Sequence, residues 1–456
     1  MLNVLVVGAG ISGLCAAISL RRAGHCVHVY ERSALNSEIG AAINIPPNAS
    51  RFLLAWGLDP ARWRFAPSRR VSYLDPFTLQ PLDIVFREDG PQAFGGCDLF
   101  YAHRVDLHSA LKWMAIREDG PGTPATIHLQ AKVVGFVSHH PMLLSGSRSD
   151  LEAQSTLTAV RKQNSDKPSI CLDGGQEVTG DVVIAADGVH SVASDVVLGY
   201  KNLPVPPVYS NACYRFLIPL SDLEEDPDTR FLNEDCHGWA RLIPHVPTNR
   251  RIVTYPCRKY GRLPLNKNPQ LDWQASVDIS QVLERFSDYH PGILRVISKA
   301  KEVKQYPLLY RHPLPAMYKG RMALAGDAAH PMLPHHGQGG AQGLEDGLAL
   351  GIVLHGASSP ADIESRLEIY DRVRRRRASA IQILSNAGLE QSEFVQRELC
   401  QYMDPDEIPK TMDETYKYSF GFDVVRETLK AMRQRNPDFR LPEDFFESEV
   451  AAVPGQ

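Results

Sequence analysis

The sequence predicts an α/β protein: a parallel nucleotide-binding layer, an inserted antiparallel β-sheet and a helical C-terminal tail. Three observations predict it. The chain opens on a short apolar strand, Asn3-Val4-Leu5-Val6-Val7, followed at once by Gly8-Ala9-Gly10-Ile11-Ser12-Gly13 and an apolar helical run over 14–23. Two more apolar runs of the buried-strand type, 181–186 and 321–325, lead directly into Asp187-Gly188 and Gly326-Asp327. Between them, over 205–310, short strand-like segments (212–218, 239–243, 251–256) alternate with Pro and Asn turns, the pattern of an antiparallel sheet.

The first unit is the most specific. A second strand, 26–30, ends at Glu31, which completes a strand–GxGxxG–helix–strand–acid unit for an adenine dinucleotide. Gly8 permits the tight turn, Gly10 lets the backbone approach a pyrophosphate at the positive end of the helix, and Gly13 lets helix and strand pack closely. Glu31 is placed to accept hydrogen bonds from ribose hydroxyls, and Arg32 directly after it belongs to the same site. An acid here suits the unphosphorylated ribose of FAD or NAD better than a tightly held NADP. The uncharged run 2–20 contains the fingerprint, has no basic residues before it and is followed by Arg21 and Arg22. That is neither a signal peptide nor a membrane span, and a cytoplasmic protein is expected.

Further along, 49–56 reads as an apolar helix ended by Gly57, and the Pro-, Gly- and Asp-rich 75–96 as a crossing into another layer. Residues 101–113 have helical periodicity, and the long polar stretch 138–173 reads as a surface hairpin or insertion. A helix is predicted over 338–354. The tail from 385 is helical, then aromatic (Tyr416, Tyr418, Phe420, Phe422), then Pro- and acid-rich with frayed last residues. These shifts divide the chain into a nucleotide-binding domain in three parts (1–72, 101–204, 311–385), a crossover (73–100), a substrate sheet (205–310) and a tail (386–456).

Composition sets limits. The 456 residues carry a net charge of −4, so no global field favours nucleic acid or an anionic membrane. The 8 cysteines are scattered without a CxxC pair, which argues against a zinc site or a disulfide framework. His330, His335 and His336 with Asp327 match no zinc spacing, so no metal is expected. The run Arg374-Arg375-Arg376-Arg377 reads as a solvated helix face with Glu364 and Asp371 as partners.

The segments Gly180-Asp181-Val182-Val183-Ile184-Ala185-Ala186-Asp187-Gly188 and Gly320-Arg321-Met322-Ala323-Leu324-Ala325-Gly326-Asp327-Ala328-Ala329-His330-Pro331, the second running on through Pro334 to Gly337-Gln338-Gly339-Gly340 and Glu345-Asp346, follow the N-terminal fingerprint in order. Together they resemble the three signatures of the class A flavoprotein aromatic hydroxylases, over residues 1 to about 385. Ile45-Pro46-Pro47-Asn48-Ala49, Trp56-Gly57-Leu58 and Tyr306-Pro307-Leu308 resemble the salicylate-hydroxylase branch and its fungal secondary-metabolism relatives.

The resemblance implies a Rossmann-like FAD-binding domain with an inserted antiparallel β-sheet substrate domain, tightly bound FAD, transient NADH or NADPH, and O2. It implies that Asp327 bonds the FAD ribityl chain, that Gly337, Gly339 and Gly340 offer backbone N–H groups to the flavin, and that Arg104 contacts the ribose-phosphate region. Asp187 would lie near the pyrophosphate, and Ala42 and Asn44 where the backbone passes the isoalloxazine. Arg215 and Tyr255 would hold a phenolate or carboxylate, with His237 a weaker option and Pro334 against the flavin ring. The implied reaction is hydroxylation of a phenol or hydroxybenzoate through a flavin C4a-hydroperoxide, with or without decarboxylation. The alternatives are epoxidation or oxidative dearomatisation of an indole or polyketide phenol, and, remotely, a non-catalytic binding module. A small aromatic substrate and a monomer or homodimer are expected, with no nucleic acid and no membrane span.

Overall fold

The computed structural model describes residues 1–35, 42–86, 89–137, 167–205, 212–232, 238–248, 250–257, 275–308, 311–387 and 393–455. Its central sheet has the strand order Tyr318–Lys319, Met322–Leu324, Val182–Ala185, Asn3–Val7, Cys26–Tyr30, Thr126–His128. All neighbours are parallel except the Tyr318–Lys319 edge strand. The three motif strands therefore lie side by side, with Asn3–Val7 in the middle and Val4 opposite Val182. Their side chains are almost wholly buried, which is why they read as continuous apolar runs.

Two helices cross against one another beside this sheet. The fingerprint helix Ile11–Arg22 is met by the helix Gly339–Leu354, which starts one residue after its predicted beginning. Their contact is a stripe of small residues. A Cβ on Gly347 would lie 2.6 Å from the Ala16 backbone nitrogen, and one on Gly343 or Gly351 would collide with Ser12 or Ser19. The close approach lets the Cys15 thiol and the Ser19 hydroxyl bond the Leu344 and Leu348 carbonyls at 3.2 and 3.0 Å.

The second layer differs from a simple antiparallel sheet. Arg70–Leu74 and Pro81–Phe86 pair with Trp239–His245 and Arg250–Thr254 in one four-stranded sheet, and the Arg70–Leu74/Trp239–His245 pair is parallel. Ala212–Arg215, Lys304–Pro307 and Ala275–Ser276 form a separate three-stranded antiparallel sheet. A third small sheet joins Ala42–Ile45, Phe100–His103 and Ala66–Pro67 at the boundary between the layers.

Four sequence readings are corrected. Residues 100–103 are strand and the helix begins at Arg104, because Phe100–His103 pairs with Ala42–Ile45 before the helical register starts. The earlier helix is Pro47–Ala55, with Pro47 supplying its first turn. The arginine run is only half a solvated face: Arg374 and Arg377 are 0% and 4% exposed, while Arg376 is exposed and the accessible Arg375 keeps the predicted Asp371 partner at 3.0 Å. The tail is packed almost to its end. Trp56, fully buried, contacts Phe445 and Phe446, and the Arg22 guanidinium bonds the Trp56 and Phe445 carbonyls and Glu447. Most of the polar stretch 138–173 lies outside the described residues. Among the described residues, no helix is long and apolar enough to cross a membrane.

Candidate active site

The fingerprint turn is built as its glycines predict. Gly8 has φ +96°, and a Cβ there would strike the Ala186 carbonyl oxygen, so this turn admits only glycine beside the second motif. A Cβ on Gly13 would strike the Gly8 carbonyl, whereas one on Gly10 would meet nothing within 4 Å. Gly8 and Gly13 pack the turn, and of the three Gly10 alone faces open space. The helix Ile11–Arg22 has no side-chain cap and no acid in its first turn, leaving its N–H groups and positive dipole end for an anion. Glu31 folds back on this turn, its carboxylate accepting from the Ala9 and Ser33 N–H groups at 2.8 Å each. His108 locks the same turn from the helix Arg104–Ile116, its Nε2 2.7 Å from the Ala9 carbonyl oxygen. Sequence reasoning missed that residue; an isolated His in an apolar helix carries no signal.

Arg104 and Asp327 come together across the domain. Asp327 follows the strand Met322–Leu324, and Arg104 opens the helix after Phe100–His103. Protein packs densely around Asp327, and the desolvation raises its carboxyl pKa, opposed by His330 and Arg104. Its side chain is nevertheless exposed, so it stands in an open hollow of the protein and not in a solid core. Asn44 and Gly337 meet at that hollow: a Cβ on Gly337 would lie 2.5 Å from Asn44 Nδ2, and one on Gly340 would lie 2.9 Å from Ile43 Cδ1. Asn44 Oδ1 is buried without a partner. The helix Gly339–Leu354 points an uncapped N-terminus, free of acids in its first turn, at the same place. An open glycine, an unpaired buried carbonyl, an exposed carboxylate and two uncapped helix ends fit a long cofactor with a pyrophosphate and a polar ring.

Asp187 sits beside the turn, but its Oδ2 accepts from the Val192 N–H at 3.1 Å, where it starts the helix Val192–Leu198. Burial raises its pKa and bonds to Ser191 and nearby backbone oppose that. Arg32 is exposed and lies near His190, whose pKa falls through burial and then through Arg311 and Arg32.

Tyr255 directly follows the strand Arg250–Thr254 of the four-stranded sheet. Its hydroxyl donates to the Ala42 carbonyl at 3.2 Å, and its ring stacks on Tyr101 at 5.0 Å between centroids. Burial pushes its pKa up to about 12, opposed by the nearby Arg215 cation, so it remains a protonated donor at neutral pH. The structure thus brings Arg215, Tyr255 and Ala42 into one neighbourhood. Pro334 is exposed on the loop before Gly337. His335, next to it, has its pKa pushed down to about 4, by burial first and then by Arg251 and His336. Its Nδ1 is buried with no hydrogen-bond partner. His237 lies outside the described residues.

Behind the loop stands a buried ionic network that the sequence reading did not anticipate. Asp346 accepts from the Gly326 N–H at 2.8 Å and pairs with His330 at 2.6 Å and with Arg374 at 2.8 Å. Burial raises the Asp346 pKa, but His330 and Arg374 outweigh it and bring it to about 2. Glu345 pairs with Arg374 and Arg377 and accepts from Asn48 Nδ2 at 2.6 Å. The backbone turn that carries Asp327 is therefore fixed by buried charges on two helices, Gly339–Leu354 and Pro360–Ala387.

Comparison with known proteins follows this geometry. A family described as "FAD binding domain" matches residues 280–385, and one described as "NAD(P)-binding Rossmann-like domain" matches 6–37. The FAD-dependent monooxygenase cfoG of Aspergillus candidus is 44% identical over 98% of this chain and 98% of its own. Hispidin-3-hydroxylase of Neonothopanus nambi is 30% identical over 83% of this chain and 86% of its own. Among solved structures, a salicylate hydroxylase substrate complex shares the fold with TM-score 0.66 and 22% identity, covering 94% of this chain and 98% of that one. The cofactor that the hollow fits is FAD, and the chain belongs to the FAD-dependent monooxygenases of the class A flavoprotein aromatic hydroxylase family.

Proposed function

We propose that this enzyme inserts one oxygen atom into a phenolic or hydroxybenzoate-type aromatic at the expense of NAD(P)H. The balance is ArH + O2 + NAD(P)H + H⁺ giving ArOH + H2O + NAD(P)⁺. FAD, when bound, supplies the passage of electrons from NAD(P)H to dioxygen. Everything else falls to the chain's own residues. Asp327, Arg104, Asn44 and the N–H groups of the two uncapped helices hold the cofactor. Gly337, Gly339 and Gly340 leave room for it, with Asp187 and Arg32 at the pyrophosphate end.

The observation that carries the substrate reading is the Arg215–Tyr255 pair beside the Ala42 carbonyl. A guanidinium next to a phenol favours the phenolate, which makes the ring electron-rich. Tyr255 spends its one proton on the Ala42 carbonyl, so its oxygen is left to accept from a substrate hydroxyl and orient it. His335 is neutral at neutral pH, and with its pKa pushed down to about 4 it is too weak a base to take the phenol proton, so it stands as a neutral side chain of the loop.

The test is NADH, NADPH and oxygen consumption across a panel of phenols, hydroxybenzoates and indoles, with product masses. A mass gain of one oxygen on a phenolic member supports the reading, and loss of CO2 alongside it marks the decarboxylative form. Oxygen insertion only into the indoles contradicts it in favour of epoxidation.

A further inference from the structure

The tail helix Met412–Phe420 brings Tyr416 against the substrate sheet. Its phenol neighbours that of Tyr73, which stands on the strand Arg70–Leu74 two residues from Val71 of the same apolar cluster. Burial raises the pKa of both phenols, so both stay protonated at neutral pH. Each side chain nevertheless keeps partial accessibility. Tyr101 links the two polar spots: it stacks on Tyr255 and is also a close neighbour of Tyr416. Arg251 lies near both Tyr73 and His335, which ties this wall to the loop beside the flavin.

The position of Tyr416 is fixed from behind. Arg377 donates to the Tyr418 and Ser419 carbonyls at 3.0 and 2.7 Å, and Arg51 donates to the Phe420 carbonyl at 2.7 Å. Both guanidiniums are buried, and Arg377 also reaches Glu345 in the network that fixes the Asp327 turn. The tail is thereby indexed to the cofactor side of the site.

We propose that the Tyr73–Tyr416 hydroxyl pair determines specificity by bonding a second oxygen substituent of the aromatic substrate, separate from the one held at Arg215 and Tyr255. The preferred substrate class is then an aromatic with two separated oxygen functions. This rests on the aromatic-hydroxylase reading above. A site built to bond a substrate hydroxyl discriminates strongly against the analogue that lacks it.

The experiment is a titration of FAD-loaded wild type, Tyr416→Phe and Tyr73→Phe, read by the change in flavin absorbance. The ligands are hydroquinone against phenol and dihydroxybiphenyl against hydroxybiphenyl. In wild type, at least one diphenol is expected to bind about tenfold tighter than its monophenol partner. In both variants that gap closes, while monophenol affinity and flavin content stay as in wild type. No gap in wild type, a gap that survives in the variants, equal weakening of both ligands or loss of flavin would each overturn the proposal. A gap without oxygen insertion into any aromatic sinks the hydroxylase reading and spares this one; insertion without a gap does the reverse.

Discussion

Asp327 concentrates the cofactor claim in one carboxylate. It is densely packed around, exposed and faced by Arg104 and His330. Asp327→Ala is expected to weaken FAD binding by about 10- to 100-fold, the scale of one charge-assisted hydrogen bond. Fluorescence titration of the apoprotein checks it, and unchanged affinity refutes it. Arg215→Ala should retain FAD and lower kcat/KM for a phenol by a similar factor of about 10 to 100, measured by coupled oxygen consumption. A third expectation concerns protons. His25 is buried, takes the Leu2 N–H on Nδ1 and lies 3.0 Å from the Leu354 carbonyl through Nε2, which fixes a neutral ring. Burial first lowers its pKa, to about 4. The unfolded chain binds this proton near pH 6.5 and the folded chain does not, so stability falls as pH drops from about 6.5 to 4. The loss is about 3 kcal/mol, and chemical denaturation of wild type and His25→Gln across that range measures it. The residues legible in sequence were those fixed by local motif, such as Gly8, Glu31 and Asp327. His108 was not, because its role depends on neighbours distant in the chain.

At the level of elements, the small-residue stripe between Ile11–Arg22 and Gly339–Leu354 sets the depth of the site, since both helices aim their N-termini into it. Gly347→Ala places a methyl 2.6 Å from the Ala16 nitrogen and must push the helices apart. A destabilisation of about 1–3 kcal/mol is expected, seen as a lowered melting temperature together with weaker FAD retention. The motif strands were readable because buried parallel strands are continuous apolar runs. The onset of the helix at Arg104 was not, since the apolar spacing of 101–113 suits a helix until strand pairing with Ala42–Ile45 claims its first residues. The parallel pairing of Arg70–Leu74 with Trp239–His245 joins segments far apart in sequence, and no local pattern announces such a partner.

Across the whole molecule, charge and tail do what composition alone could not reveal. The arginine run looked like solvent-facing charge because its partners, Glu345 and Asp346, stand on another helix. Glu345→Gln removes one carboxylate from beside two buried guanidiniums, and about 3–5 kcal/mol of stability should go with it; urea unfolding measures this, and a loss below about 1 kcal/mol contradicts the network's role. The aromatic tail, which looked peripheral, closes back on the fingerprint helix through Phe445 and Glu447 and on the substrate sheet through Tyr416. The account as a whole requires that the flavin ring and the Arg215–Tyr255 pair border one hollow. The most direct measurement is the visible spectrum of the purified protein as a phenolic ligand is added. The account predicts flavin bands that shift on ligand addition in wild type and stay fixed in Arg215→Ala; a protein colourless after FAD reconstitution, or flavin bands indifferent to every phenol, would contradict it.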